Sequence, residues 1–145
     1  MNIFNWFKRK KKTCIDFGAG YSLTDLPIAT FYQGGVKLNF LLDTGSNNNI
    51  INKSVLSKIG HKETGKTASV YGMDGIDHEC PYYSVDIEYK GSHYPTAFMV
   101  CDMDASFGNI KRETGVTVHG ILGSKFFQYY KSILDFIEFK AYFKK

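Results

Sequence analysis

Phe40-Leu41-Leu42-Asp43-Thr44-Gly45-Ser46 is the stretch on which the reading of this chain turns. Three apolar residues run straight into an acid, followed by a hydroxyl residue, a glycine and a second hydroxyl. A short unbroken apolar run suits a strand leaving a core, and a glycine just beyond it lets another backbone come close. The order therefore delivers one carboxylate, that of Asp43, to a tight loop where it can be aimed. Asn47-Asn48-Asn49 extend the loop, since asparagine tolerates left-handed backbone better than most residues, and Ile50-Ile51 re-enter the core.

Working outward, Leu26 to Phe31 and Val36 to Leu42 read as two strands joined at Gln33-Gly34-Gly35. Asn52 suits an N-cap for a short helix with Val55, Leu56 and Ile59 on one face and Gly60 as its stop. Thr67 to Val70 reads as a strand leading into paired glycines at Tyr71-Gly72-Met73-Asp74-Gly75-Ile76, from which the chain returns towards Tyr82. Tyr83, Val85, Ile87 and Tyr89 alternate with polar residues, and Lys90-Gly91-Ser92 turns that strand into His93 to Cys101. The polar, glycine-containing stretch from Asp102 to Thr117 reads as a loop. Val116 to Leu122 reads as a further strand, and Ser124 suits the cap of a second short helix running to Tyr130.

The 145 residues, 43% of them hydrophobic, suffice for one compact core and are too few for two ordinary domains. The net charge of +4 is unevenly placed: Lys8 to Lys12 supply five of the 18 basic residues, leaving 13 against 14 acids. A body without excess positive charge offers no groove for a nucleic acid. The segment Ile3 to Lys12, aromatic and then basic, suits peripheral contact with an anionic membrane as well as a solvated tail or one packed on the body. Cys14, Cys80 and Cys101 are odd in number and lack metal-ligand spacing with any histidine, which points to a reducing compartment and no metal. The basic run follows the apolar segment instead of preceding it, unlike a secretory signal, so a cytoplasmic location is expected, with membrane association at the N-terminus as an addition.

Asp43-Thr44-Gly45-Ser46 after an apolar strand, followed at a fitting distance by His119-Gly120-Ile121-Leu122-Gly123, resembles the paired signature of retropepsin-like aspartic proteases, in a cellular or bacterial relative of the retroviral enzymes. Ile87-Glu88-Tyr89-Lys90-Gly91 and Ser132-Ile133-Leu134-Asp135-Phe136 extend the likeness from Phe40 to about Phe136. The resemblance implies a mostly β, single-domain, closed β-barrel-like acid protease fold with two short helices and a flap hairpin, spanning 21–145 after a tail at 1–20. It also implies an aspartic endopeptidase acting on polypeptide without cofactor or metal.

Peptide hydrolysis of this kind needs two carboxylates sharing one proton, the ionised one accepting a proton from water while the other donates to the carbonyl oxygen. This chain has one such motif, so the second carboxylate is expected from Asp43 of another copy in a homodimer. By position, Thr44 resembles the residue that bonds across the twofold axis. Gly45 offers an N–H to the carboxylate, and Ser46 is expected to donate to its outer oxygen. Tyr71, Gly72, Met73, Asp74 and Gly75 of the flap, with Ile121, Leu122 and Gly123, are the expected substrate-binding residues. Three departures stand out: a charged Asp74 at the flap tip, Ser124 where retroviral enzymes usually carry arginine, and a tail beyond Phe136 expected to form an extra edge strand, available for pairing across the dimer axis. The competing reading is a catalytically silent module of the same fold used for dimerisation or peptide binding.

Overall fold

The computed structural model describes residues 13–71 and 75–143, Tyr71 by its backbone alone. Ten strands and four helices follow one another: β1 (Thr13–Asp16), α1 (Gly18–Thr24), β2 (Ile28–Gln33), β3 (Val36–Leu42), β4 (Ile50–Asn52), α2 (Lys53–Leu56), β5 (Lys62–Tyr71), β6 (Asp77–Tyr89), β7 (Ser92–Cys101), α3 (Asp104–Thr114), β8 (Gly120–Leu122), α4 (Ser124–Tyr129), β9 (Ser132–Asp135) and β10 (Lys140–Phe143). The order β2-β3-β8-β4-β7-β6 closes on itself through Tyr32 opposite Glu88, giving a six-stranded barrel with β5 attached outside β6. A second, three-stranded sheet runs β1-β10-β9.

The turns form where the chain allows left-handed backbone. Gly34 and Gly35 (φ 54° and 80°) join β2 to β3, and Lys90 and Gly91 (φ 47° and 82°) join β6 to β7. Alternation along β3 buries Leu38, Phe40 and Leu42, and Phe40 stacks on Phe98 of β7 with ring centroids 5.4 Å apart. Each such fully buried ring contributes roughly 1.5–3 kcal/mol. Phe31, Tyr94, Phe126 and Phe143 continue this aromatic core from the barrel to the smaller sheet.

Four expectations are corrected. The tail does not extend to residue 20: Thr13–Asp16 pairs with Lys140–Phe143, and Ile15 and Phe17 belong to the core. Ile3 to Lys12 lies outside the described residues. The described residues hold four helices, not two, because Asp102 to Thr117 contains α3 and residues 18–24 form α1. Helix α3 has Asp104 in its first turn, Lys111 and Arg112 in its last, and Gly115 (φ 78°) as a left-handed cap, an arrangement that suits the helix dipole. Its Phe107 fills a second core with Ile28, Val118 and Ile121. The C-terminal strand is not an edge: β10 is paired on both sides, so β1 and β9 carry the outer edges of that sheet. Finally, Asn52 precedes α2 without a side-chain cap bond; its amide instead accepts from Met103 N (2.9 Å) and donates to Asp104 Oδ1 (2.8 Å), tying α3 to β4.

Candidate active site

Asp43 leaves the end of β3, and its loop is gripped by the β8–α4 segment. The Asp43 amide donates to Leu122 O (2.9 Å), and Ser124 N donates to Ser46 O (2.7 Å). Gly123 N donates to the side chain of buried Asn49 (2.9 Å). These bonds follow from β3 and β8 running parallel, with Leu42 beside Leu122, so both chains leave the barrel together. Gly123 is required at the crossing. A Cβ there would lie 2.4 Å from Asn48 O and 2.5 Å from Ser46 O.

Within the loop, Gly45 N donates to Asp43 Oδ1 at 3.0 Å, as its position implied. Asp43 is half-buried, whereas Thr44 and Gly45 are exposed. Ser46 departs from expectation: its hydroxyl donates to Asn48 O at 2.7 Å, closing the loop on itself instead of serving the carboxylate. A hydroxyl committed to a backbone carbonyl two residues on is a common local alternative for serine.

Of the expected binding residues, Leu122 is fully buried and Gly123 is enclosed, so these two support the loop and offer no surface to a ligand. Ile121 keeps 8% exposure in the second core. Gly72, Met73 and Asp74 lie outside the described residues. The strands that lead to them pair from Thr67–Pro81 to Tyr71–Asp77, and from 75 to 79 every residue of the returning strand is exposed.

Residues that the sequence did not single out complete the surroundings. Asn48 Oδ1 accepts from Tyr82 Oη (3.1 Å) and from Lys125 Nζ (2.9 Å), linking the loop to β6 and to α4. These three residues, with Asn49, Thr64, Lys66, Ala97 and Tyr129 among others, line a cavity of about 570 Å³. The cavity flanks the Asp43 loop at its far end and does not include Asp43 itself. Asparagines in a loop are read as turn formers, and nothing local marks Asn48 and Asn49 as the anchors they are.

His119 has a packing role. Its Nδ1 accepts from Asn39 N (2.9 Å), and burial, reinforced by Lys58 and Lys37, lowers its pKa below the ordinary 6.5. The neutral ring is therefore the form that bonds. Among the described residues no cluster of His, Cys, Asp and Glu is arranged to hold a metal ion, and no helix is long and apolar enough to cross a membrane.

An acid at the mouth of a closed barrel, held by a glycine loop against an apolar-apolar-glycine segment, defines the aspartic protease class. Residues 29–126 match the aspartyl protease family, and the chain belongs to it. The retroviral protease-like domain of Ddi1 from Leishmania major superposes with a TM-score of 0.51 at 13% identity, covering 83% of this chain and 94% of that domain, a likeness of fold. The EIAV protease complexed with the inhibitor HBY-793 gives a TM-score of 0.48 at 22% identity over 79% of this chain and 97% of its own. No curated protein sequence matches the chain.

Proposed function

We propose that the protein is an aspartic endopeptidase that works as a homodimer, with one Asp43 from each protomer. The observation that carries this reading is the loop itself. It is fixed by backbone bonds from Asp43, Gly123 and Ser124, and presents a half-buried carboxylate whose Oδ1 is held by Gly45 N–H. The chain contains a single Asp-Thr-Gly motif, so a second carboxylate on the same water requires a second chain. Two such acids close together cannot both ionise cheaply, so the pair shares one proton. The ionised member accepts a proton from water as it attacks the peptide carbonyl, and the protonated member donates to the carbonyl oxygen.

The β5–β6 hairpin acts as the lid. Residues 75–79 of its returning strand are exposed, as suits an arm that closes on an extended peptide and adds it as a strand. The cavity between Asn48, Lys66 and Lys125 borders the path of the substrate; two lysines and, among the described residues, no carboxylate line it, which favours an acidic side chain there.

The test is cleavage of a mixed peptide library between about pH 4 and pH 7 by wild type and Asp43→Asn, with protomer concentration varied. Turnover that vanishes in the variant and falls more than proportionally on dilution is expected. Turnover retained by Asp43→Asn, or none by a wild-type protein shown to be folded and dimeric, refutes the proposal.

A further inference from the structure

Cys80 and Cys101 lie outside the machinery described above. Cys80 is a buried residue of β6, at the point where the exposed hairpin enters the body, and Cys101 is the partly exposed last residue of β7. The β6–β7 ladder runs from Tyr89–Ser92, which closes the two-residue turn, to Tyr82–Met99. Two positions further on, Cys80 faces Cys101. A pair that closes a two-residue turn exchanges both hydrogen bonds, and the same alternation, continued past the end of the ladder, puts Cys80 and Cys101 at a non-hydrogen-bonded position. The two sulfurs are 3.1 Å apart, the Cys101 thiol donating to Cys80 Sγ. A disulfide spans Cα separations of about 4.4–6.8 Å and closes its sulfurs to about 2.05 Å, so small side-chain rotations suffice. Pro81, between this pair and the last ladder pair, has no N–H to give, and the backbone tie to β7 stops at Tyr82.

We propose that Cys80 and Cys101 form a reversible dithiol–disulfide site whose oxidation staples the returning strand of the hairpin to β7, where the backbone ladder has ended. A small disulfide such as oxidised glutathione serves as the oxidant. Cys101, the more accessible thiol, loses its proton and attacks one sulfur of the oxidant, expelling one glutathione thiolate. Cys80, deprotonated in turn, attacks Cys101 Sγ of the mixed disulfide and expels the second. Two protein thiols become one disulfide and the oxidant becomes two thiols, a transfer of two electrons. Burial, with Cys80 as neighbour, pushes the Cys101 thiol up to about 12. The first attack is therefore slow near pH 7 and quickens about tenfold per pH unit as the thiolate fraction grows.

The reduced full-length chain is incubated with oxidised glutathione at pH 7, 8 and 9, its remaining thiols are alkylated, and peptides are mapped by mass spectrometry. The expected product has lost 2 Da, joins the Cys80 and Cys101 peptides, leaves Cys14 alkylated, forms faster at each higher pH and is reversed by dithiothreitol. It also melts about 5 °C or more above the reduced form, a gain that Cys101→Ser does not show. A persistent glutathione adduct, full alkylation of all three cysteines after prolonged incubation at pH 9, or pairing through Cys14 overturns the site. An oxidised form that melts no higher than the reduced one overturns the staple. None of these readouts depends on peptide cleavage.

Discussion

Gly123→Ala is the substitution that most directly tests how the Asp43 loop is held. The backbone there is extended (φ −97°), a conformation any residue adopts, so the substitution acts through contact alone. The new Cβ would stand 2.4 Å from Asn48 O and 2.5 Å from Ser46 O, both main-chain atoms that no side-chain rotation can move aside. Restoring even ~3.0 Å shifts one chain against the other by about half an ångström or more, an overpacking that costs roughly 1–3 kcal/mol. That shift loosens the bonds from Ser124 N to Ser46 O and from Gly123 N to Asn49 Oδ1, each worth about 1 kcal/mol net and more when a buried donor is orphaned. We expect a loss of about 2–4 kcal/mol in urea unfolding at fixed protomer concentration. Peptide turnover should fall roughly 10- to 100-fold in the fraction that remains folded, because Asp43 stands three residues from Ser46 and is displaced with it. Gly108→Ala is the control. It sits within α3 with nothing nearer than Arg112 at 3.8 Å and should be neutral or stabilising by about 0.5–1 kcal/mol. If Gly123→Ala unfolds within ~0.5 kcal/mol of wild type and cleaves peptide at its rate, the reasoning is wrong.

Two further outcomes follow from the same bonds. His119 has a folded pKa below its ordinary 6.5, so the unfolded chain binds the extra proton first; stability contributed by the neutral ring is complete above about pH 6.5 and is lost as pH falls from there towards the lowered value. Urea midpoints at pH 7.5 and pH 5 should therefore differ more for wild type than for His119→Gln, and an equal difference would remove His119 from the account. Asn52→Ala should cost about 1–3 kcal/mol, since it orphans Met103 N and releases Asp104, and amide exchange at the start of α3 should rise while that of β2 and β3 does not; unchanged exchange in α3 would show that Asn52 does not hold it.

The motif of Asp43 to Ser46, its apolar lead-in and the alternation of β6 were legible because each is local: a period of two, a glycine at a turn, an acid after an apolar run. The same locality misled at Asp102 to Thr117, where Gly108 and Asn109 mask a helix whose apolar side, Phe107 and Ile110, has meaning only against Ile28 and Val118. It misled again at Ser46. A serine three residues after an aspartate suits a bond to the carboxylate, but the hydroxyl bonds Asn48 O, and only the turn of the loop in space reveals that choice.

By itself, the sequence determined that one carboxylate stands at the end of a core strand, that the fold is mostly β, and that the motif occurs once. Those properties depend on residues adjacent in the chain. The tertiary structure alone decided that Thr13–Asp16 belongs to the body, that the C-terminal strand lies inside a sheet, and that Asn48, Asn49, Tyr82 and Lys125 hold the loop. The contacts that seat Thr13–Asp16 against the C-terminal strand and those that hold the loop join residues 34 to 130 positions apart, and no local pattern of charge or hydropathy marks which distant partner will satisfy a given amide or strand edge.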